Sequence, residues 1–235
     1  MMNKNGAVLI TGGGSGIGAA CAVEFFRRGH CVVIVGRRAA RLRDTARQLG
    51  DRERVLALTG DVGDEKFARL AFAQSRKRFG SVDILVNNAA VLFKKPFLKT
   101  SVAMWDATMR SNVRGPFLFS REFLRTAKPG RLIVNIGSLA GVQGTEKFPG
   151  ISAYTVSKFG ITGLTAALAV ETKTLGVSVV CVAPGAVETT MLAKAAPGLK
   201  AGAVPADIAR VVAELAENPS LEKLSGTIIP LETNR

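Results

Sequence analysis

The 235-residue chain holds one histidine, one tyrosine and one tryptophan, and its three cysteines form no Cys-x-x-Cys pair. The lone His30 argues against both a His-rich metal site and a Ser-His-Asp triad. Cys21, Cys31 and Cys181 are far apart in apolar surroundings and read as buried thiols of a reducing, cytoplasmic protein. No uninterrupted apolar run reaches the ~18 residues of a membrane span, and no membrane association is expected. The first residues, 1–6, are polar and short, so no secretory signal is expected. Acidic residues are also scarce: 18 Asp+Glu against 32 Lys+Arg give a net charge of +14. The excess lies in residues 1–131, which hold 24 of the basic and 10 of the acidic residues; the remainder holds 8 of each. Such a field attracts anions of any kind, nucleotides included. No aromatics interleave with the basic clusters to stack on bases, so a solvated basic surface is ranked above nucleic-acid binding.

The apolar residues that are present come in short continuous runs separated by helical patterns. Strands are expected at 7–10, 31–35, 54–58, 82–86, 131–136, 177–182 and 227–229. Helices are expected at 19–28, 39–49, 65–79, 101–126, from about 152 to 175, and 205–217. Gly115-Pro116 should bend the fourth helix. Residues 139–151 are expected as loop. Strands alternating with helices, each strand apolar throughout, predict a parallel sheet covered on both faces. No linker or composition shift divides the chain, so residues 1–235 are read as one domain.

Three features carry chemistry. Gly12-x-x-x-Gly16-x-Gly18, with Gly14, Ser15 and Ile17 between, lies directly between the first strand and first helix. Glycines there let the backbone turn and approach a pyrophosphate at a helix N-terminus. The second strand ends in Gly36-Arg37-Arg38 with no carboxylate. A basic residue there suits the 2′-phosphate of NADP, whereas an acidic one would select NAD; NADP is therefore favoured over NAD. Tyr154 and Lys158 are four residues apart on a helix and share a face. A cation beside a phenol favours the phenolate, so Lys158 is expected to lower the Tyr154 pKa and make it a general acid/base.

Thr11-Gly12-x-x-x-Gly16-Ile17-Gly18, Asp61-Val62, Asn87-Asn88-Ala89, Asn112, Ser138, Tyr154-x-x-x-Lys158 and Pro184-Gly185 together resemble the short-chain dehydrogenase/reductase family over nearly the whole chain. The resemblance implies a Rossmann-type, doubly wound sheet of seven parallel strands with helices on both faces. It implies that Asp61, beside the Val62 backbone, accepts from the adenine amino group, and that Asn87, Ala89 and Ala90 line the cofactor. Lys158 would hold the nicotinamide ribose, Ser138 the substrate oxygen, and Asn112 a water in a proton relay. Pro184, Gly185, Val187 and Thr189 would meet the nicotinamide end. Relatives are commonly tetramers or dimers that pack their two long helices, here about 101–128 and 152–175, so a homo-oligomer is expected.

The chain departs from the family pattern in four places. Ala90 stands where glycine is usual. The spacing from Ser138 to Tyr154 is longer, with the extra length in loop 141–150. The segment 192–204, a lid in relatives, is short, and the Asp-Gly-Gly common after the last strand is missing. The expected substrate is a carbonyl or alcohol, with 3-oxoacyl-carrier-protein, small-ketone, sugar and steroid classes all open. Phe93, Phe97, Phe148 and Ile151 are candidates for an apolar pocket, Phe93 and Phe97 equally for core. Leu175 occupies a position that is basic in acyl-carrier-protein reductases. A non-catalytic, NADP-sensing protein of the same fold is the alternative reading.

Overall fold

The computed structural model describes residues 6–218 and 220–233. The readings of segment 1–5 and of the last two residues lie outside them. The strands are β1 (Ala7–Thr11), β2 (Cys31–Gly36), β3 (Val55–Thr59), β4 (Val82–Asn87), β5 (Arg131–Ile136), β6 (Val177–Pro184) and β7 (Ile228–Leu231). All belong to one sheet of order β3-β2-β1-β4-β5-β6-β7, with every neighbouring pair parallel. The chain winds outward from β1 to β3, then returns to the other side of β1 for β4. The β1/β4 junction is therefore the switch point where α/β sheets hold ligands at their strand C-termini.

The helices are α1 (Gly16–Arg27), α2 (Ala39–Leu49), α3 (Glu65–Phe79), α4 (Val102–Met109), α5 (Gly115–Leu124), α6 (Ser152–Glu171), α7 (Thr190–Ala195) and α8 (Pro205–Glu217). Side chains alternate faces along a strand, and the core divides accordingly. Val8, Ile10, Val32, Ile34 and Ile84 pack with Phe25 of α1, Leu42 of α2 and Val212 of α8. Leu9, Val33 and Leu85 pack on the opposite face with Phe67 and Phe72 of α3 and Phe119 and Phe123 of α5. Phe119 lies 6.3 Å from Phe67 and 5.9 Å from Phe72, ring centre to ring centre. His30 is buried edge-on to Phe25 at 5.5 Å, and desolvation lowers its pKa.

Several expectations change. The break in the helix expected at 101–126 comes ahead of Gly115-Pro116, as a π turn over Arg110–Arg114. Pro116 sits in the first turn of α5, where a helix has no use for its missing N–H, so the irregular turn ends before it. Residues 190–195, where no helix is expected, form α7, with the Thr189 hydroxyl accepting from the Leu192 N–H as N-cap. Phe93 and Phe97 are not core: they are 39% and 71% exposed, while Ile151 is buried. Cys31 is half-buried rather than buried. Helix α6 is long and apolar enough, by composition, to cross a bilayer. Its apolar side packs on β6 and on the 3-10 turn Leu139–Gly141, and it carries Lys158 inward.

Candidate active site

The glycine loop follows β1 at the switch point. Gly12 and Gly16 take φ of 70° and 54°, a region that strains residues with a Cβ. The Gly12 N–H donates to Val35 O at 2.8 Å, which folds the loop back over β2. A Cβ on Gly18 would lie 2.4 Å from the Gly12 carbonyl oxygen, and one on Gly14 would meet Arg41 at 3.0 Å. Ser15, the N-cap of α1, makes no side-chain cap bond; its hydroxyl accepts from Arg38 Nη2 at 2.9 Å. The first-turn N–H groups at Gly16, Ile17 and Gly18 thus have no side-chain acceptor from the cap residue, and their dipole end suits a pyrophosphate. The cradle fits a dinucleotide: glycines where a Cβ would collide, backbone donors at the helix start, and exposed Arg37 and Arg38 beyond β2.

The neighbouring strand ends close around this loop. Asn88 Nδ2 donates to Thr11 O at 2.9 Å, and the Asn88 and Ala89 N–H groups donate to Thr11 Oγ1 at 2.9 and 3.0 Å. These bonds lock the end of β4 to the end of β1. The motif pattern alone gives Asn88 and Thr11 no role at the site; their register at the switch point is visible only once the strands pair. Asn87 turns its side chain inward, donating to Asn135 Oδ1 at 2.9 Å and Ser120 Oγ at 3.1 Å. Its side chain is thus committed to the core, while Ala89 and Ala90, next along the chain, are half-buried. Val62 likewise buries its side chain, against Gly115. Asp61 Oδ1 accepts from the Gly63 N–H at 2.9 Å, and Oδ2 accepts from Arg110 Nε at 3.1 Å. Partial burial would raise the Asp61 pKa, but these donors and the Arg37 charge outweigh it and hold it below the usual carboxylate range.

Pro184, the last residue of β6, and Val187 just beyond it are buried, and the Gly185 N–H donates to Leu231 O at 3.0 Å. The Thr189 methyl lies 3.2 Å from where a Gly16 Cβ would sit, so this segment overhangs the glycine loop. A groove of about 600 Å³ runs on from Thr189 between α7 and residues 196–201.

Ser138 follows β5; its hydroxyl accepts from the Ala140 N–H at 3.2 Å and lies near enough to the Tyr154 hydroxyl to favour the phenolate. A Cβ on Gly141 would lie 2.4 Å from the Lys158 carbonyl carbon; that close approach seats the Ser138 turn against α6. Lys158 is buried, donates to Ile136 O at 2.7 Å, and has Nζ 5.5 Å from the Tyr154 ring centre. The expected acidification of Tyr154 is not what the protein's own groups produce. Burial pushes the phenol up to about 12, only partly opposed by Ser138. The same desolvation brings Lys158 down to about 8. Its ammonium is aimed at a main-chain carbonyl, so burial outweighs the charge pair.

Asn112, inside the π turn, is buried. Its Nδ2 donates to Val91 O at 2.9 Å and to Ser157 Oγ at 3.0 Å, while Oδ1 accepts from the Val91 N–H at 2.8 Å. Ser157 donates in turn to the Tyr154 carbonyl at 2.7 Å. The amide is therefore committed, leaving one Oδ1 lone pair for a water. Ser157, which the sequence reading passed over, carries the contact from Asn112 to the tyrosine turn; its place three residues after Tyr154 on the helix was the available signal. At the mouth, the Lys95 N–H donates to Gly150 O at 2.8 Å, so the loops after β4 and β5 meet. Phe93 and Phe148 stand on these two loops, each partly exposed.

Comparison with known proteins agrees with this layout. Residues 6–200 match the family model described as short chain dehydrogenase. The chain is 37% identical over 190 residues to the 2-(R)-hydroxypropyl-CoM dehydrogenase of Xanthobacter autotrophicus, covering 78% of this chain and 75% of that one. Among solved structures, a short chain dehydrogenase from Burkholderia cenocepacia in complex with NADP superposes with a TM-score of 0.88 at 28% identity, over 98% of this chain and 97% of the other. The 3-ketoacyl-(acyl-carrier-protein) reductase from Brucella melitensis, complexed with NADH, also gives 0.88, at 29% identity and 98% coverage of both. With its glycine cradle at the β1/β4 switch point and Ser138, Tyr154 and Lys158 gathered beyond β5, the chain belongs to the short-chain dehydrogenase/reductase family.

Proposed function

We propose that the protein is an NADP-dependent reductase or dehydrogenase acting on a carbonyl/alcohol pair, with Ser138, Tyr154, Lys158 and Asn112 as its catalytic set. The observation that carries this reading is that buried Lys158, Tyr154 one turn before it with its ring centre 5.5 Å from Lys158 Nζ, and Ser138 beside Tyr154 gather at the strand ends where the glycine cradle also opens. When bound, NADPH supplies the hydride for the carbonyl carbon. The chain's own groups do the rest. Negative charge grows on the substrate oxygen, where the Ser138 hydroxyl donates a hydrogen bond and Tyr154 gives up its proton. A phenol near 12 stays protonated at neutral pH and so carries the proton that reduction needs, held more tightly than in a free phenol. Lys158, at about 8, is mostly cationic at pH 7, binding the ribose hydroxyls and stabilising the phenolate that remains.

Arg37 and Arg38 support NADP, because β2 ends with no carboxylate near them. Solved relatives carry NADP in one case and NADH in another, so the arginines rather than the family make the argument. Phe93 and Phe148 border the mouth and suit an apolar or acyl substrate; the chemistry fixes the carbonyl and leaves its tail to be found. The expected homo-oligomer would use the apolar residues Val102, Phe117, Val156, Phe159 and Val170, all exposed on α4, α5 and α6.

The test is a carbonyl panel followed by NADPH absorbance, with NADH as control. Turnover with at least one carbonyl, faster with NADPH, is the expected result. Binding of NADPH with no turnover across the panel would favour the sensor reading instead.

A further inference from the structure

Arg110 belongs to none of the roles above. It opens the π turn between α4 and α5, on a different element from Arg37 and Arg38. Two observations fix its position. Its Nε donates to Asp61 Oδ2 at 3.1 Å. Its stem packs against Gly63, where a Cβ would sit 2.5 Å from Arg110 Cγ, so the position two residues after Asp61 must be small to admit it. The pair is at the rim, with side chains 46% and 38% exposed. Beyond it opens a groove of about 370 Å³ lined in part by Lys66, Arg69 and Arg114.

Asp61 poses an electrostatic problem for an NADP site. It is a carboxylate close enough to feel Arg37, and Arg37 is the proposed ligand of a phosphate monoester carrying about −1.5 to −2 charges. Left alone, Asp61 would both repel that phosphate and draw Arg37 to itself. Arg110 removes both difficulties by occupying one carboxylate oxygen, while the Gly63 N–H takes the other.

We propose that Arg110 is a cofactor-selectivity residue: by pairing with Asp61 it frees Arg37 for the 2′-phosphate and so favours NADPH over NADH. The proposal rests on the NADP reading above. It needs no catalytic step, and binding alone tests it.

The experiment is fluorescence titration of NADPH and NADH, through Trp105 emission or the nicotinamide signal, on the wild type, Arg110→Gln, Arg110→Lys, Asp61→Asn and the Asp61→Asn/Arg110→Gln pair. Thermal melts of each variant check folding. Arg110→Gln should weaken NADPH roughly three- to fivefold more than NADH, the upper scale of a rim charge interaction. Arg110→Lys, which keeps the charge, should recover most of that ratio. In the Asp61→Asn background, Arg110→Gln should shift the ratio by less than about twofold, since nothing is left to neutralise.

The wild-type ratio reports on the NADP reading, and the change in ratio on removing Arg110 reports on this inference, so the two can fail separately. An Arg110→Gln ratio within about twofold of wild type would overturn the inference. So would an equal shift with and without the Asp61 carboxylate, or a Lys variant as poor as Gln.

Discussion

Lys158 and Tyr154 are both desolvated, and desolvation moves their pKa values in opposite directions with opposite consequences for stability. Lys158 falls from 10.5 to about 8. The folded state therefore binds its proton less well than the unfolded state does, and stability from this group rises with pH between about 8 and 10.5. Tyr154 rises from 10.0 to about 12, so stability from it is present below pH 10 and is lost as pH climbs towards 12. The lysine penalty at pH 7 is on the order of 3 kcal/mol. Lys158→Met should therefore compare best with wild type near pH 7 and lose ground steadily up to pH 10, as followed by urea unfolding. A stability difference independent of pH would mean that the ammonium is better solvated than its burial implies. The residue-level chemistry was legible in part. Tyr154 and Lys158 stand out by spacing, but the sign of the Tyr154 shift was misread, because one-turn spacing on a helix says nothing about where the ammonium points. Asn112 was found by its motif; its commitment to Val91 and Ser157 depends on a loop contact that no local pattern encodes.

At the level of elements, the strand–helix alternation gave the order of the sheet's parts, because fully buried strands are apolar throughout and bounded by Gly or Pro. The misreadings fall where local signals conflict. Gly115-Pro116 marks a helix start here rather than an interruption, and the irregular turn precedes it. The six-residue α7 lies in an Ala-, Pro- and Gly-containing stretch too short to show a period. The aromatic packing between α3 and α5 holds that layer on the sheet. Phe119→Ala, which empties a site fully buried among Phe67, Phe72 and Phe123, should cost about 3–5 kcal/mol in denaturant unfolding. A loss under about 1 kcal/mol would show that the layer closes over the gap. The network from Asn87 through Asn135 to Thr165 ties β4 to β5 and β5 to α6 with bonds of 2.9 Å. Asn135→Leu leaves the Asn87 amide short of a partner, and it should lower the melting temperature without altering the NADPH/NADH ratio. A changed ratio would tie this core network to cofactor choice.

For the molecule as a whole, the excess charge sits in residues 1–131, the part that forms β1 to β4 and carries Arg37, Arg38 and Arg110. That distribution agrees with a dinucleotide phosphate as the anion the field serves. Light scattering at micromolar concentration should give a dimer or tetramer, and Phe159→Glu on the exposed face of α6 should shift it towards monomer. A wild-type monomer would leave that apolar face unexplained. The central claim is that Tyr154 donates the proton, and the most direct measurement is single-turnover oxidation of bound NADPH by a carbonyl identified in the panel, comparing wild type with Tyr154→Phe. The account predicts unchanged NADPH binding and a rate reduced by at least about 100-fold; a variant that binds NADPH and turns over within a few fold of wild type would contradict it.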